Sequence, residues 1–255
     1  MPDESQLGGY YPPSYHSMTD GGWLMRRRRA MRVSRLAKLT GTEPTVVLDY
    51  GCGNGSFLVT ASRQLSQHRY VGFEYSEEAS RQELEGGKVL IVRGQLRHLT
   101  DELEGVGKVG VLIMNHVVEH LPDPSAVMRA LAPHMAERAI FDGQTPNADS
   151  LEHRIFGTRW SGYHAPRHTV VFSRSGLFEF MSRHGYSDIA IRGAFNPAGV
   201  AVSLGTLPQR AEGLIVRKGA SWFALVAVAS ALMPIDLISG FPGMINFVGK
   251  RRQGL

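Results

Sequence analysis

The sequence predicts an α/β protein: a seven-stranded, mostly parallel sheet with helices on both faces and an insertion before the last strand. Three observations carry this. Short β-rich apolar runs alternate with helical stretches between residues 45 and 141, a glycine-rich loop joins the first run to the first helix, and an acidic residue closes the second run. Strands that alternate with helices form parallel sheets, because each helix carries the chain back across a face of the sheet.

Residues 1–22 are irregular, with paired glycines and prolines. A helical pattern over 23–39 sets Leu24, Met31, Val33, Leu36 and Leu39 among arginines, and Gly41 and Pro44 end it. Thr45–Tyr50 (TVVLDY) is the first strand and Ser56–Leu65 the first crossover helix. Tyr70–Phe73 is the second strand, closed by Glu74. Ser76 reads as the N-cap of a following helix, because Glu77 and Glu78 then fall in its first turn, where acids are favoured. Val89–Val92 is the third strand, and Val109–Met114 is the fourth, a continuous apolar run of the kind buried on both faces. Pro124–Leu131 is a helix and Arg138–Phe141 the fifth strand. Residues 143–172 are polar and aromatic; Ser173–His184 is then a helix, and Tyr186–Ile191 and Met244–Val248 are the last two strands. The chain thus divides into an N-terminal segment with a basic helix (1–40), one domain (41–192 and 243–252) and an apolar insertion (193–242).

The 255 residues, 43% hydrophobic and 20% charged, are ordinary for a globular protein. A single cysteine, Cys52, excludes an intrachain disulfide framework and a Cys-rich zinc site, and fits a reducing compartment. The N-terminus lacks the basic and apolar regions of a secretory signal, so a cytoplasmic location is expected. The net charge of +5 is concentrated in Arg26–Arg29, Arg32, Arg35 and Lys38, and in Lys250–Arg252. Such clusters suit nucleic acid or an anionic membrane, or form a solvated helix face.

The first chemical signal is Asp49-Tyr50-Gly51-Cys52-Gly53-Asn54-Gly55, which follows a strand and opens a helix. Glycines there permit positive φ and close backbone approach to a ligand, and the helix N-terminus adds N–H donors. A dinucleotide loop, G-x-G-x-x-G, would need glycine at Ser56 or Leu58, which argues against a pyrophosphate. Glu74, 19 residues after Gly55, is placed to accept hydrogen bonds from both hydroxyls of a ribose. Together these imply a ribose-bearing ligand without a diphosphate.

VLDYGCGNG resembles motif I of the class I S-adenosylmethionine-dependent methyltransferases, GFEYS resembles their acidic motif, and NHVVEHLPDP (Asn115–Pro124) resembles the motif after their fourth strand. Trp160, Pro166-Arg167-His168 and Phe172-Ser173, with YYPPSYHS (Tyr10–Ser17), resemble a W…PRH…FS subgroup that includes quinone-type and glycan-associated methyltransferases. The resemblance implies a Rossmann-like fold and S-adenosyl-L-methionine as cofactor. It also implies a cofactor site in which Asp49, Gly51, Cys52, Gly53 and Gly55 hold the methionine part and Glu74 the ribose. Gln95, where the family often has an acid at the adenine amino group, and Asn115 complete the set.

His116-Val117-Val118-Glu119-His120 also spells the H-x-x-E-H of a zinc peptidase, but the run directly follows a strand and Pro122 leaves no room for a metal-binding helix. Some quinone-type methyltransferases carry E-x-x-E-H in this position and use a divalent cation. His116 replaces the first acid, and a hard cation prefers carboxylate, so no metal is expected. A hydroxyl acceptor needs a base, for which histidine has a suitable pKa. His120 is the first choice by position, with His116 and His168 behind it; for each, the alternative is a structural histidine that satisfies a backbone group. His164 lies in the same motif as His168, and Trp160 and Tyr163 either line the acceptor pocket or pack beneath the loop.

The expected activity is O-methylation of a small or lipid-linked hydroxyl acceptor, either a prenylated phenol or quinol or a sugar. The rivals are a non-catalytic cofactor-binding protein on the same fold and a nucleic-acid methyltransferase. The N/D-P-P-Y/F motif of amino-methylating nucleic-acid enzymes is absent after the fourth strand, which reads Asn115-His116-Val117-Val118, so nucleic acid is not the expected partner. Residues 222–238 form a 17-residue apolar run interrupted by Pro234 and Asp236. That is short of the roughly 20 residues a membrane span needs. It reads as a peripheral contact with the inner membrane face, a homodimer contact or a buried hairpin.

Overall fold

The structure, a computed structural model, describes residues 22–164, 166–194, 196–205, 224, 226–231 and 240–254. Helix α1 (Trp23–Thr40) leads into β1 (Val46–Tyr50), α2 (Ser56–Gln64), β2 (Arg69–Tyr75), β3 (Ser80–Leu84) and β4 (Val89–Gly94). The chain continues through α3 (Leu96–Val106), β5 (Val109–Asn115), α4 (Pro124–Leu131), β6 (Met135–Pro146) and α5 (Leu151–Phe156). It ends with α6 (Arg174–Arg183), β7 (Tyr186–Ala194), α7 (Pro197–Gly205) and β8 (Met244–Arg251).

The strands make one sheet in the order β3-β4-β2-β1-β5-β6-β8-β7. The run from β4 to β6 is parallel throughout. β3 pairs antiparallel with β4, and β8 lies antiparallel between β6 and β7. Chain direction out of β1 goes first to β2 on one side and later to β5 on the other, so the strand order reverses beside β1. In open parallel sheets the crevice at such a reversal, outside the carboxyl ends of the strands, is where ligands bind.

The sheet is covered on both faces because the central strands carry apolar residues at successive positions, which point alternately to the two faces. Val47, Tyr70, Ile91 and Val111 pack with Phe57, Leu58 and Ala61 of α2 and Val33 and Leu36 of α1. Leu48, Val71, Val92 and Leu112 pack on the other face with Leu99 and Leu103 of α3, Val127 and Leu131 of α4, and Leu177 and Met181 of α6. The predicted helix starts at Pro124 and Ser173 hold: the side chains of Asp123 and Ser173 accept from Ala126 N–H and Gly176 N–H, both at 2.9 Å.

Two expectations need correction. The sheet has eight strands, not seven, and the segment after Ser76 is not a helix but the extended β3. Ser76 does cap a turn, accepting from Glu78 N–H at 3.3 Å, but the chain then pairs with the open edge of β4. The ladder bonds that edge supplies outweigh the modest helix propensity of a short polar segment.

Of the apolar run at 222–238, residue 224 and residues 226–231 are described and are helical. Ala229 is buried against Val200 and Ala201 of α7, while Val228 is 53% exposed. The rest of that run, and the YYPPSYHS motif, lie outside the described residues. Among the described residues no helix is long and apolar enough to cross a membrane.

Candidate active site

The glycine loop leaves β1 and folds over the end of β2. The N–H groups of Gly51 and Cys52 both donate to the Phe73 carbonyl, at 2.7 and 2.9 Å. That hairpin-tight path needs left-handed backbone at Gly51, Gly53 and Gly55 (φ 80°, 59° and 75°). Val117, from the turn after β5, fills the space a side chain at Gly51 would need, whereas the space at Gly53 is open. Gly53 N–H donates to Glu74 Oε2 at 2.6 Å, and Arg93 Nη2 donates to the Gly53 carbonyl at 2.9 Å. Glu74, near the carboxyl end of β2, therefore fixes the loop. Cys52 is buried and burial pushes its thiol pKa well up, so it serves packing rather than nucleophilic chemistry.

Beneath the loop, two buried carboxylates meet two arginines of α1. Asp49 is 2% exposed and has Arg32 Nη2 at 3.4 Å from each oxygen. Burial raises its pKa to about 6, with Arg32 opposing the rise and Glu74 adding to it. Asp142, on β6, accepts from Arg35 Nε at 2.9 and 3.0 Å and from its Nη2; burial raises this carboxyl also, against the pull of Arg35. Arg32 in addition stacks on Phe57, 3.9 Å from the ring centroid. These arginines, read from the sequence as part of a basic surface, are three residues apart and so share a helix face. That spacing, facing buried strand ends, was the available signal.

The segment after β5 brings the predicted histidines together. Asn115 is the last residue of β5, half-buried and paired with Gln144 of β6. His116 follows in left-handed backbone (φ 57°), its N–H held by the Gln144 carbonyl at 2.8 Å and its ring half exposed. A short 3-10 turn, Val118–His120, then buries Glu119 completely. Thr145 Oγ1 donates to Glu119 Oε2 at 3.0 Å. Oε1 has no hydrogen-bond partner among the described residues, and His116 Nδ1 lies 3.7 Å from it. Burial raises the Glu119 pKa, but His116 and His120 around it outweigh that and hold it below the usual carboxylate range.

The loop carrying the PRH motif docks on this turn. Thr169 and Val170 N–H donate to the Glu119 carbonyl at 2.8 and 3.2 Å, and Thr169 Oγ1 donates to the Leu121 carbonyl at 2.7 Å. The His168 ring thereby stands 4.5 Å from that of His120, edge to face, with His164 a further 5.2 Å from His168. His120 Nδ1 lies 3.0 Å from the Arg167 carbonyl and His168 Nδ1 2.6 Å from the Gly162 carbonyl. A carbonyl only accepts, so both rings carry their proton on Nδ1 and a lone pair on Nε2. Burial lowers the pKa of His120 and of His168, and takes His164 to about 4, so neutral imidazoles line the site.

Two further expectations find their places. Gln95 is exposed at the start of α3, just past the carboxyl end of β4, with its backbone N–H donated to His98 Nδ1 at 3.0 Å. Trp160 is buried and stacked on His153, and packs beneath the loop; Tyr163 is 37% exposed, its hydroxyl 2.7 Å from His153 Nε2. Glu119, Thr145 and Asp142 were not singled out from the sequence as site residues in their own right.

A family described as a methyltransferase domain matches residues 24–191, about two-thirds of the chain. No curated protein sequence matches. A SAM-dependent methyltransferase from Archaeoglobus fulgidus is 18% identical, with a TM-score of 0.50 over 88% of this chain and 94% of that one. An O-methyltransferase family protein from Burkholderia thailandensis is 13% identical, with a TM-score of 0.52 over 91% of this chain and 58% of that one. Phosphoethanolamine N-methyltransferase 2 from Haemonchus contortus, solved with S-adenosyl-L-methionine, is 12% identical, with a TM-score of 0.56 over 98% of this chain and 58% of that one. A mostly parallel sheet with its glycine loop and acidic turn at the strand reversal, and a family match across the whole of that sheet's parallel part, lead to one assignment: this chain belongs to the methyltransferase-domain family.

Proposed function

We propose that this methyltransferase takes S-adenosylmethionine as methyl donor and methylates the hydroxyl of a small or lipid-linked acceptor, a prenylated phenol or quinol or a sugar. The observation that carries the hydroxyl reading is the pair of neutral imidazoles, His120 and His168, whose Nδ1 protons are committed to carbonyls. A transfer to oxygen must dispose of a proton, and such rings receive one at Nε2.

The residues present fit the cofactor. The open space at Gly53 admits close approach, and we assign the ribose hydroxyls to Glu74, which is held to the loop by Gly53 N–H. Asp49 offers a buried carboxylate to the methionyl ammonium, with Gly51, Cys52 and Gly55 shaping the loop around it; Asn115 and Gln95 border the crevice on its two sides. The cofactor supplies a methyl group already activated by its sulfonium. The chain aligns the acceptor oxygen, excludes water and takes the hydroxyl proton, for which His120 is our first choice, with His168 and the more exposed His116 after it.

His120→Ala is expected to lower turnover about 10²-fold with cofactor affinity kept. Because burial lowers the His120 pKa from its ordinary 6.5, the acid limb of the rate profile should fall below pH 6.5. A screen of quinols, phenols and glycans with labelled cofactor, followed by that profile on the best acceptor, tests the reading. Label passing only to amines or to carbon would overturn it. We also propose peripheral attachment to anionic membranes through 222–238 and the basic groups Arg26–Arg29 and Lys250–Arg252, which salt should weaken. Liposome flotation tests this, and protein that ignores anionic liposomes at low salt would contradict it.

A further inference from the structure

The PRH loop is held at both ends. Near its close, Thr169 and Val170 tie it to the turn after β5. Near its start, Ser161 ties it to α7, the first element of the apolar insertion. Ser161 N–H donates to Ser203 Oγ at 3.0 Å, and the hydroxyls of Ser161 and Ser203 both donate to the Gly199 carbonyl, at 3.0 and 3.1 Å. Ser203 is fully buried, on a helix whose Val200 and Ala201 pack in an apolar cluster. A serine that only bonds back to its own helix is neutral or slightly unfavourable there, and the Ser161 N–H gives this hydroxyl a second task. The residue after Ser161 is Gly162, whose carbonyl accepts the His168 Nδ1 proton at 2.6 Å. A Cβ at Gly162 would overlap the buried Trp160 indole, so the path of this carbonyl requires glycine.

His120 stands 4.5 Å ring to ring from His168, but its Nδ1 partner is the Arg167 carbonyl, within the loop itself. The two imidazoles thus take their orientation from different sources. We propose that Ser161 and Ser203 are positioning residues that hold the Gly162 carbonyl against His168, so that α7 fixes the Nδ1–H tautomer of His168 and not that of His120. Which nitrogen of a neutral imidazole carries the proton is set by the hydrogen bonds the ring makes. Displacing α7 withdraws the carbonyl and frees the His168 ring to carry its proton on Nε2 instead. The lone pair that would receive the acceptor's proton is then lost. Burial, which lowers the His168 pKa, keeps the ring neutral and so dependent on this choice. The proposal deepens the reading of His168 as a base and rests on it for its role in the reaction.

The test uses the full chain with ¹⁵N-labelled histidine, without cofactor or acceptor, at about pH 8, where these rings are neutral. Long-range ¹⁵N–¹H correlations give the tautomer of each ring, and His120→Gln and His168→Gln identify the signals. Wild type should show both rings as Nδ1–H. Ser203→Ala should move His168 toward the Nε2–H form while His120 keeps its signature. Ser161→Ala, at a half-buried position, should move His168 the same way and serves if Ser203→Ala does not fold. Val202→Ala trims the same helix but removes no hydrogen bond between it and Ser161, and should leave both rings unchanged. Turnover of Ser203→Ala on the best acceptor should fall about 10-fold, part of the roughly 10²-fold that a base contributes, with cofactor affinity kept. A His168 ring that stays wholly Nδ1–H in the serine variants, or a His120 ring that changes with it, overturns the proposal. The tautomer measurement needs no turnover, so its failure leaves the base and methyl-transfer readings standing. Full turnover in His168→Ala would instead remove the base reading.

Discussion

Asp49 illustrates how a single residue gives up stability for a site. Its pKa of about 6 in the folded protein lies above the 3.8 of the free side chain, so the folded state holds its proton more tightly. Keeping it ionised therefore costs stability above pH 6, by about 3 kcal/mol, and the cost disappears below pH 3.8. Asp49→Asn should raise the urea midpoint at pH 8, with the gain shrinking as pH falls through 6; a gain that persists unchanged at pH 4 would contradict this. His116 gives a second case. Its left-handed backbone is costly for any residue but glycine, so His116→Gly should stabilise by up to about 1 kcal/mol in the same melts. No gain would mean that the contacts of the ring repay the strain. At this scale the sequence was legible where chemistry is local, in Asp49, the loop glycines and Glu74. It did not point to Asp142 or Thr145, and it gave the shared face of Arg32 and Arg35 without their partners, which lie up to 107 residues away and are set by packing.

Elements were legible wherever apolar periodicity reported burial. β1 and β5 are nearly continuous apolar runs because both faces of the central sheet are covered. β3 was missed because its five residues, Ser-Arg-Gln-Glu-Leu, are polar and mostly exposed, and only the edge of β4 makes them a strand. The charges suit an edge: Arg81 pairs with Glu83 and Glu102, and such side chains discourage pairing with a further chain. The PRH loop likewise has no periodicity of its own. Its position depends on Thr169, whose hydroxyl and N–H bond to the Leu121 and Glu119 carbonyls. Thr169→Val removes the hydroxyl bonds and should cost about 1 kcal/mol in equilibrium melts. It should also raise amide exchange across residues 162–170, where unchanged protection would mean that other contacts seat the loop.

Across the whole molecule, the strand order explains why these pieces meet. The reversal beside β1 places the ends of β1, β2 and β5 side by side, bringing Asp49, Glu74 and Asn115 to one crevice. Helix α1 is tied to β1 and β6 through Arg32–Asp49 and Arg35–Asp142, and the PRH loop is tied to the turn after β5 through Thr169 and Val170. The central claim is that this crevice is the cofactor site. Calorimetric titration of S-adenosylmethionine into wild type, Glu74→Ala and Gly53→Val tests it most directly. Wild type should bind one equivalent, and Glu74→Ala should lose about 1–3 kcal/mol of affinity. Gly53→Val, which strains a left-handed position and fills the open space beside it, should abolish binding while the fold is kept. Equal affinity in all three proteins would contradict the account.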